Sequence, residues 1–303
     1  MNQTRITVIA GMTTFSVFAI LVSCISGQTV QPPQTIRLAL TKTLVTDVPQ
    51  ALVDVVMDEF KTVVKKTTGL DSEVTAKFAA AEIAEKLQNK DLEFGLLWAH
   101  EFAQAQMRHP DLRPFLIAGT KRKEKRAHVI VHRDSDGKTI ADLRGKKLDL
   151  PLTTKEYCRI YLEKVCTDKT SAGSAKFFGA IARSSSPLDA LDEVARKKAD
   201  ATIIDSLWLD FYKDIKPGVF TKNLKVLQQS DLVPPAVIVY RPGTLGEATL
   251  DRVRDGLRKA HADDRGRALM AIWHIDAFEP VPKDYADRLA EVLKEYPPPN
   301  KPR

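Results

Sequence analysis

With 303 residues, 44% of them hydrophobic and 28% charged, the chain has globular composition and length enough for two lobes with separate cores, which excludes a disordered protein. Lys and Arg exceed Asp and Glu by 46 to 39, a net charge of +7, but the basic residues are spread along the chain and aromatics make up only 7%. Nucleic-acid binding calls for a focused basic face interleaved with stacking aromatics, and this distribution argues against it.

Arg5 precedes an uncharged, mostly apolar stretch from Ile6 to Val22, followed by small residues and the Pro-containing TVQPPQ. A basic start, an apolar centre and small residues at the end read as an export signal over residues 1–28 rather than a domain helix. Leu21, Val22, Ser23 and Cys24 also match a lipoprotein signal, in which Cys24 receives lipid and becomes the new N-terminus; ordinary cleavage a few residues later is the alternative. Either way the mature protein is expected outside the cytoplasmic membrane, periplasmic or lipid-anchored. No other apolar run is long enough to span a bilayer.

After the signal, IRLAL (36–40) reads as a buried strand, and DVPQALVDVVMDEFKTVVKKT as an amphipathic helix with apolar positions three and four apart. DSEVTAKF follows as a strand, AAEIAEKLQNKD as a helix, LEFGLLW as a strand and AHEFAQAQMRH as a helix. This alternation implies a parallel sheet covered on both faces. LRPFLIAG and RAHVIVHRD read as further strands, separated by TKRKEKR (120–126), a charge run expected to be a solvated loop. His128 and His132 share a strand face, but two histidines without a third ligand are weak metal evidence.

A second series begins near Asp136: a helical turn in KTIADLRG stopped by Gly145, the strand KKLDL, the helix TTKEYCRIYLEKVCT and the strand AKFFGA. The helix SPLDALDEVARKK, the strand ADATIID, the helix SLWLDFYKD and the strands LKVLQQS and PPAVIVYRPG complete it. Three helices are expected from Gly246 to Ala262, Arg265 to His274 and Asp284 to Tyr296, ahead of a Pro-rich tail, 297–303. Cys158 and Cys166 sit eight residues apart on one predicted helix, about 12 Å, beyond disulfide reach of about 7 Å; two buried thiols are expected. Extended segments near 126–133 and 235–241 would carry the chain out to a second lobe and back. The expected division is 29–125 plus 241–296 for lobe 1 and 126–240 for lobe 2. Ligand sites in α/β sheets form beyond the carboxyl ends of strands, so the loops after Leu40, Trp98, Leu152, Ala182 and Asp205 would line a cleft.

The export signal, IRLAL…TDVP, VIVHRDSDGKTIADLRGKKLDL, LDALDEVARKKADATIIDS and LKVLQQSDLVPPAVIVYRPG together resemble the phosphate, phosphite and phosphonate substrate-binding proteins of ABC importers, over about residues 35–296. The resemblance implies a type II periplasmic-binding fold, two α/β lobes joined by two crossing strands with a cleft between them. It implies a small oxyanion as ligand, an ABC permease as partner, no cofactor and a monomer. In that family, the helix after the DLRGKKLDL-like strand opens with a Ser/Thr/Ser-Gly run holding the anion; here PLTTKEY supplies Thr153 and Thr154 without Ser-Gly. A Gly-Ser-His turn is replaced by SSSPLD, where Ser186 matches the serine and Pro187 stands in place of the histidine. Asp205 and Ser206 match the polar pair after the DA strand, and Trp98, His100 and Glu101 lie where relatives place an aromatic contact. The expected ligand set is Thr41, Trp98, His100, Glu101, Thr153, Thr154, Tyr157, Ser185, Ser186, Asp205 and Ser206.

The same residues also have a purely structural reading. A helix N-terminus favours an anion, but TTKE is a capping box with Thr153 as cap and Glu156 reaching back to it, and SPLD repeats the pattern with Ser186 and Asp189. Both helix starts are therefore open to two readings, anion cradle or self-satisfied cap. Asp205, Glu101 and Trp98 point instead to a ligand with an amine. A diverged sensor or interaction module remains the alternative to transport. Catalytic constellations are not found: HEFAQ lacks the second histidine of a zinc-protease helix, and no Gly-x-Ser-x-Gly elbow, phosphate-cradling Gly-Lys-Ser/Thr loop or Cys-x-x-Cys pair occurs. The chain is read as a binding protein, not an enzyme.

Overall fold

The computed structural model describes residues 35–296 apart from 47, 120–124, 171–172 and 273–274, so the expected export signal, Cys24 and the Pro-rich tail lie outside the described residues. Short buried runs form strands and three-four periodic runs form the helices around them. β1 (Ile36–Leu40) leads through a 3-10 turn into α1 (Gln50–Thr68), which buries Val53, Val56, Met57, Phe60, Val63 and Val64 on one face and ends at Gly69 with φ +70°. There follow β2 (Ser72–Thr75), α2 (Ala80–Gln88), β3 (Phe94–Leu97), α3 (Ala99–Arg108) and β4 (Arg113–Gly119). The second series is β5 (Ala127–His132), β6 (Lys147–Asp149), α4 (Glu156–Thr170), α5 (Ser174–Phe177), β7 (Ala180–Ala182), α6 (Pro187–Ala195), β8 (Ala201–Asp205), α7 (Ser206–Ile215), α8 (Pro217–Asn223) and β9 (Leu224–Gln229). The chain closes with β10 (Val237–Tyr240), α9 (Glu247–Lys259), α10 (Asp264–Ile272), β11 (Ala277–Pro280) and α11 (Tyr285–Glu295).

Among the described residues the strands form two sheets, one of six in the order β11-β4-β10-β3-β1-β2 and one of five in the order β7-β6-β8-β5-β9. Each sheet has its own apolar core, and together they form the two lobes of an α/β molecule. Neither sheet is purely parallel, as the alternation implied. β2, β1 and β3 run parallel, but β10 is antiparallel to both β3 and β4, and β11 is antiparallel to β4. In the second sheet β5 is antiparallel to β8 and β9. For β5 and β10 the reason is connectivity: strands that enter from or return to the other lobe run against those built by local βα crossovers.

The crossings also differ from the sequence reading. Residues 126–133 and 235–241 mostly belong to β5 and β10 themselves, and β10 lies in the first sheet, so the chain enters the second lobe at Lys125 and Arg126 and returns through 230–236. These passages are tied to each other. Val233 N–H donates to the Lys125 carbonyl at 2.7 Å, the Arg126 guanidinium to the Ser230 carbonyl at 2.8 Å, and Ala127 N–H to Ser230 Oγ at 3.0 Å. Three smaller departures follow from short or apolar-poor segments. AKFFGA divides into the single turn α5 and a three-residue β7, while α8 and β11 were not expected.

α11 packs along α3 and extends into the other lobe, where Tyr296, fully buried, joins the second core and donates from its hydroxyl to Ser230 Oγ at 3.0 Å. Cys158 and Cys166 lie on α4 as buried thiols, neither in a disulfide. Burial pushes both above the ordinary thiol range, Cys166 to about 12.

Candidate functional site

The junction of the lobes is built around the start of α3. Trp98 follows β3 as the cap residue of that helix, with extended backbone, and Glu101 reaches back so that its Oε2 accepts the Trp98 N–H at 3.0 Å. The other carboxylate oxygen accepts the Thr43 hydroxyl at 2.7 Å and the Thr41 hydroxyl at 3.2 Å. Glu101 is only 8% exposed. Burial pushes its carboxyl up to about 7, against the pull of these three hydrogen bonds, and Glu156 of α4 raises it further. The donor set that would receive an external oxyanion here is thus filled by a carboxyl of the chain itself.

Trp98 belongs to the first core and Tyr157, on the first turn of α4, to the second; their rings meet edge to face with centres 5.9 Å apart. Lys125, from the outward crossing, places its ammonium 5.1 Å from the centre of the Trp98 ring. Burial first and Lys155 second pull this ammonium down to about 8, with Asp205 opposing them. Thr41, Trp98, Glu101, Tyr157 and Asp205 therefore gather at one junction, joined by Thr43 and Lys125, which sequence reasoning missed. Thr43 alternates with Thr41 and follows the same face. Lys125 is the penultimate residue of a run read as a solvated loop, and only its position beside Trp98 and the return crossing brings it inward.

Other expected site residues go elsewhere. The capping box of Thr153 and Glu156 does not form. Thr154 closes a turn by donating its N–H and its hydroxyl to the Pro151 carbonyl, at 3.1 and 2.7 Å, so the first helical acceptor is Lys155 and Glu156 opens α4 instead of standing at its third position. Thr153 lies in that turn, half-buried. Ser186 does cap α6 as the spacing of SPLD indicates. It accepts the Asp189 N–H at 3.2 Å and donates to Asp189 Oδ2 at 2.7 Å, and Ser185 donates to the same oxygen at 2.5 Å. These hydroxyls hold the Asp189 carboxyl below its ordinary range.

Asp205 caps α7, accepting the Trp208 N–H at 2.9 Å. Ser206 accepts the Arg126 N–H at 2.9 Å, and its Oγ lies 3.0 Å from His128 Nε2. His100 turns away from Glu101 toward α11, its ring centre 5.8 Å from that of Tyr296. Both ring nitrogens are buried without a hydrogen-bond partner, and burial pulls the imidazole down to about 4. A groove of about 1160 Å³ lies apart from this junction, along α1 and the edge strand β2, and none of the expected site residues lines it. Among the described residues no group of three or more His, Cys, Asp or Glu is placed to hold a metal ion, and no helix is long and apolar enough to cross a membrane.

The family model for the periplasmic substrate-binding protein of phosphonate ABC transporters matches residues 44–285. No curated protein sequence matches the chain. Solved structures share its fold at low identity. A Xanthomonas citri protein bound to ATP is 17% identical, with 86% of this chain and 96% of that one covered and a TM-score of 0.61. The binding-protein component of a Pseudomonas aeruginosa ABC phosphonate transporter is 16% identical, with 87% of each chain covered and a TM-score of 0.60. PhnD1 of Prochlorococcus marinus in complex with methylphosphonate is 12% identical, with 87% and 98% covered and a TM-score of 0.61. Two mixed α/β lobes, two crossings and a family match that runs from the first 3-10 turn to the start of α11 lead to one assignment: the chain belongs to the phosphonate-binding family of ABC-transporter periplasmic substrate-binding proteins, with the type II periplasmic-binding fold.

Proposed function

We propose that this protein is the exported solute-binding component of an ABC importer, that its lobes close on one small ligand beside Trp98 and Tyr157, and that a permease in the cytoplasmic membrane receives the closed form. The observation that carries this reading is the aromatic contact across the lobes. A ring from each core meets the other next to the hydrogen-bonded crossings, where hinge rotation makes or breaks the contact. The ligand is a small oxyanion of the phosphonate, phosphite or phosphate class. Because Glu101, Ser186 and Asp205 already accept N–H groups at the starts of α3, α6 and α7, this reading places the oxyanion at the turn of Thr153 and Thr154 and the junction beside it.

Glu101 favours a second reading. A buried carboxyl with Glu156 near it gains from a ligand carrying an amine, and Asp205 acts on the Lys125 ammonium that lies over Trp98. Thermal unfolding of the protein from residue 29 onward, with phosphate, phosphite, alkyl- and aminophosphonates, sulfate, amines and amino acids, separates the two. Ligand at 100 times its dissociation constant adds about 2.7 kcal/mol, a rise of several degrees. A shift with oxyanions supports the first reading. A shift only with amines, weakened strongly by Asp205→Ala, supports the second, and no shift with any compound leaves the sensor or interaction module.

A further inference from the structure

The outward crossing ends at Lys125 and Arg126, and both are fixed by their backbones. The Lys125 carbonyl accepts the Val233 N–H at 2.7 Å, and Arg126 N–H donates to Ser206 Oγ at 2.9 Å. From this anchored position the Lys125 side chain leaves the crossing and lies over Trp98. Among the described residues its ammonium has no hydrogen bond and no ion pair. The charges acting on it are Lys155, which repels it, and Asp205, whose Oδ1 already accepts the Trp208 N–H. Glu101 does not serve as its counter-ion, for its two oxygens are taken by Trp98, Thr41 and Thr43. Lys125 is half-buried, and an ammonium partly withdrawn from water is best served by a paired anion or several acceptors. An aromatic face attracts the cation but accepts none of its three N–H bonds.

We propose that Lys125 is the anion receptor of the interlobe junction: its ammonium, held over Trp98 at the tied crossings, binds the negatively charged end of the ligand directly. This rests on the oxyanion reading above and deepens it. The α3 and α7 starts that a phosphonate would otherwise use are occupied by carboxylates of the chain and the α6 start by the Ser186 hydroxyl, and a lysine on the crossing takes over that task. The ligand class that fits is a small oxyanion with a short apolar substituent, the charge on Lys125 and the substituent against Trp98 and Tyr157. Burial and Lys155 hold the Lys125 ammonium down near 8, and an anion bound to it restores its affinity for the proton. Because the same residue's carbonyl is bonded to Val233, ligand capture acts at the hinge itself.

The test is calorimetric titration of the protein with methylphosphonate, phosphite and inorganic phosphate, comparing wild type with Lys125→Met and Lys125→Arg. Met keeps the stem over Trp98 and removes the charge; truncating one partner of a desolvated charge pair costs roughly 100-fold or more in affinity. That loss for each oxyanion the wild type binds, with Arg recovering most of it, is the expected result. Equal affinity of wild type and Lys125→Met overturns the role of Lys125 while leaving the oxyanion reading intact. No binding of any of the three by wild type overturns both. A second readout needs no variant that might misfold: in wild type carrying 13C-methylated lysines, the Lys125 titration midpoint rises on saturation with the bound oxyanion, and an unmoved midpoint overturns the proposal.

Discussion

Glu101→Gln isolates the pH response of one buried carboxyl. Its folded-state pKa is raised from the ordinary 4.5 to about 7, chiefly by burial. A carboxyl shifted in this direction binds its proton more tightly in the folded protein, so the stability it contributes is fully present below 4.5 and is lost as pH rises through 7. At 1.36 kcal/mol for each pH unit the full loss is about 3 kcal/mol, of which about 2.5 kcal/mol falls between pH 5 and pH 8. Glutamine cannot ionise, yet it keeps an oxygen for the Trp98 N–H and turns its amide to the Thr41 and Thr43 hydroxyls, which can accept as well as donate. The assay is thermal unfolding of wild type and variant at pH 5, 6, 7 and 8. The midpoint difference between them should move by about 5 to 10 °C across that range in favour of the variant. His100 and His128, both pulled down to about 4 by burial, act in the opposite sense: they cost stability as pH falls below 6.5. They do so in both proteins and cancel in the difference. Parallel curves for wild type and Glu101→Gln would refute the burial argument for this carboxyl.

Three further outcomes are expected. His100→Leu removes two buried ring nitrogens without partners, so its unfolding midpoint should exceed that of wild type most clearly near pH 5, where the unfolded wild type gains a proton that the folded form does not take up; a uniform drop at all pH values would count against this. Ser186→Ala removes the cap of α6 and should cost about 1 kcal/mol in denaturant unfolding, with no loss indicating that Asp189 and Ser185 hold the helix start unaided. Tyr296→Ala empties a fully buried position in the second core and breaks the bond to Ser230, so a loss of about 3 to 5 kcal/mol is expected; a small loss would mean that α11 does not brace the second lobe.

The βα order, the two lobes, the α6 cap and the two buried thiols were legible because each depends on local spacing. Ser186, Pro187 and Asp189 form their cap in the expected geometry since the three residues determine it among themselves. The start of α4 was not legible, although TTKE has the same form. Thr154 prefers the Pro151 carbonyl, a competing local bond that shifts the helix start by two residues. Strand direction in the first sheet was hidden because β10 reads as a strand in any orientation, and only its return from the other lobe sets it against β3 and β4. Lys125 was missed for a related reason. A charge run signals solvent unless distant partners enclose it, and here the partners, Trp98 and Val233, lie 27 residues before it and 108 after it in the numbering. His100 was misplaced because its neighbour Glu101 does reach the junction. One step along a helix rotates a side chain by about 100°, enough to send the imidazole to α11 instead.

The position of β10 between β3 and β4 bears on how the chain matures as it emerges, N-terminus first, from a ribosome or through a membrane. The second sheet draws its strands from one continuous stretch, β5 to β9, and can assemble once residue 229 is out. The first sheet cannot. Until residues 237–240 arrive, β3 and β4 have no strand to join them, and each presents an open edge able to pair with a neighbouring chain. The lobe synthesised first is therefore completed last, and the interval before β10 arrives is when a nascent chain most needs the protection of a chaperone.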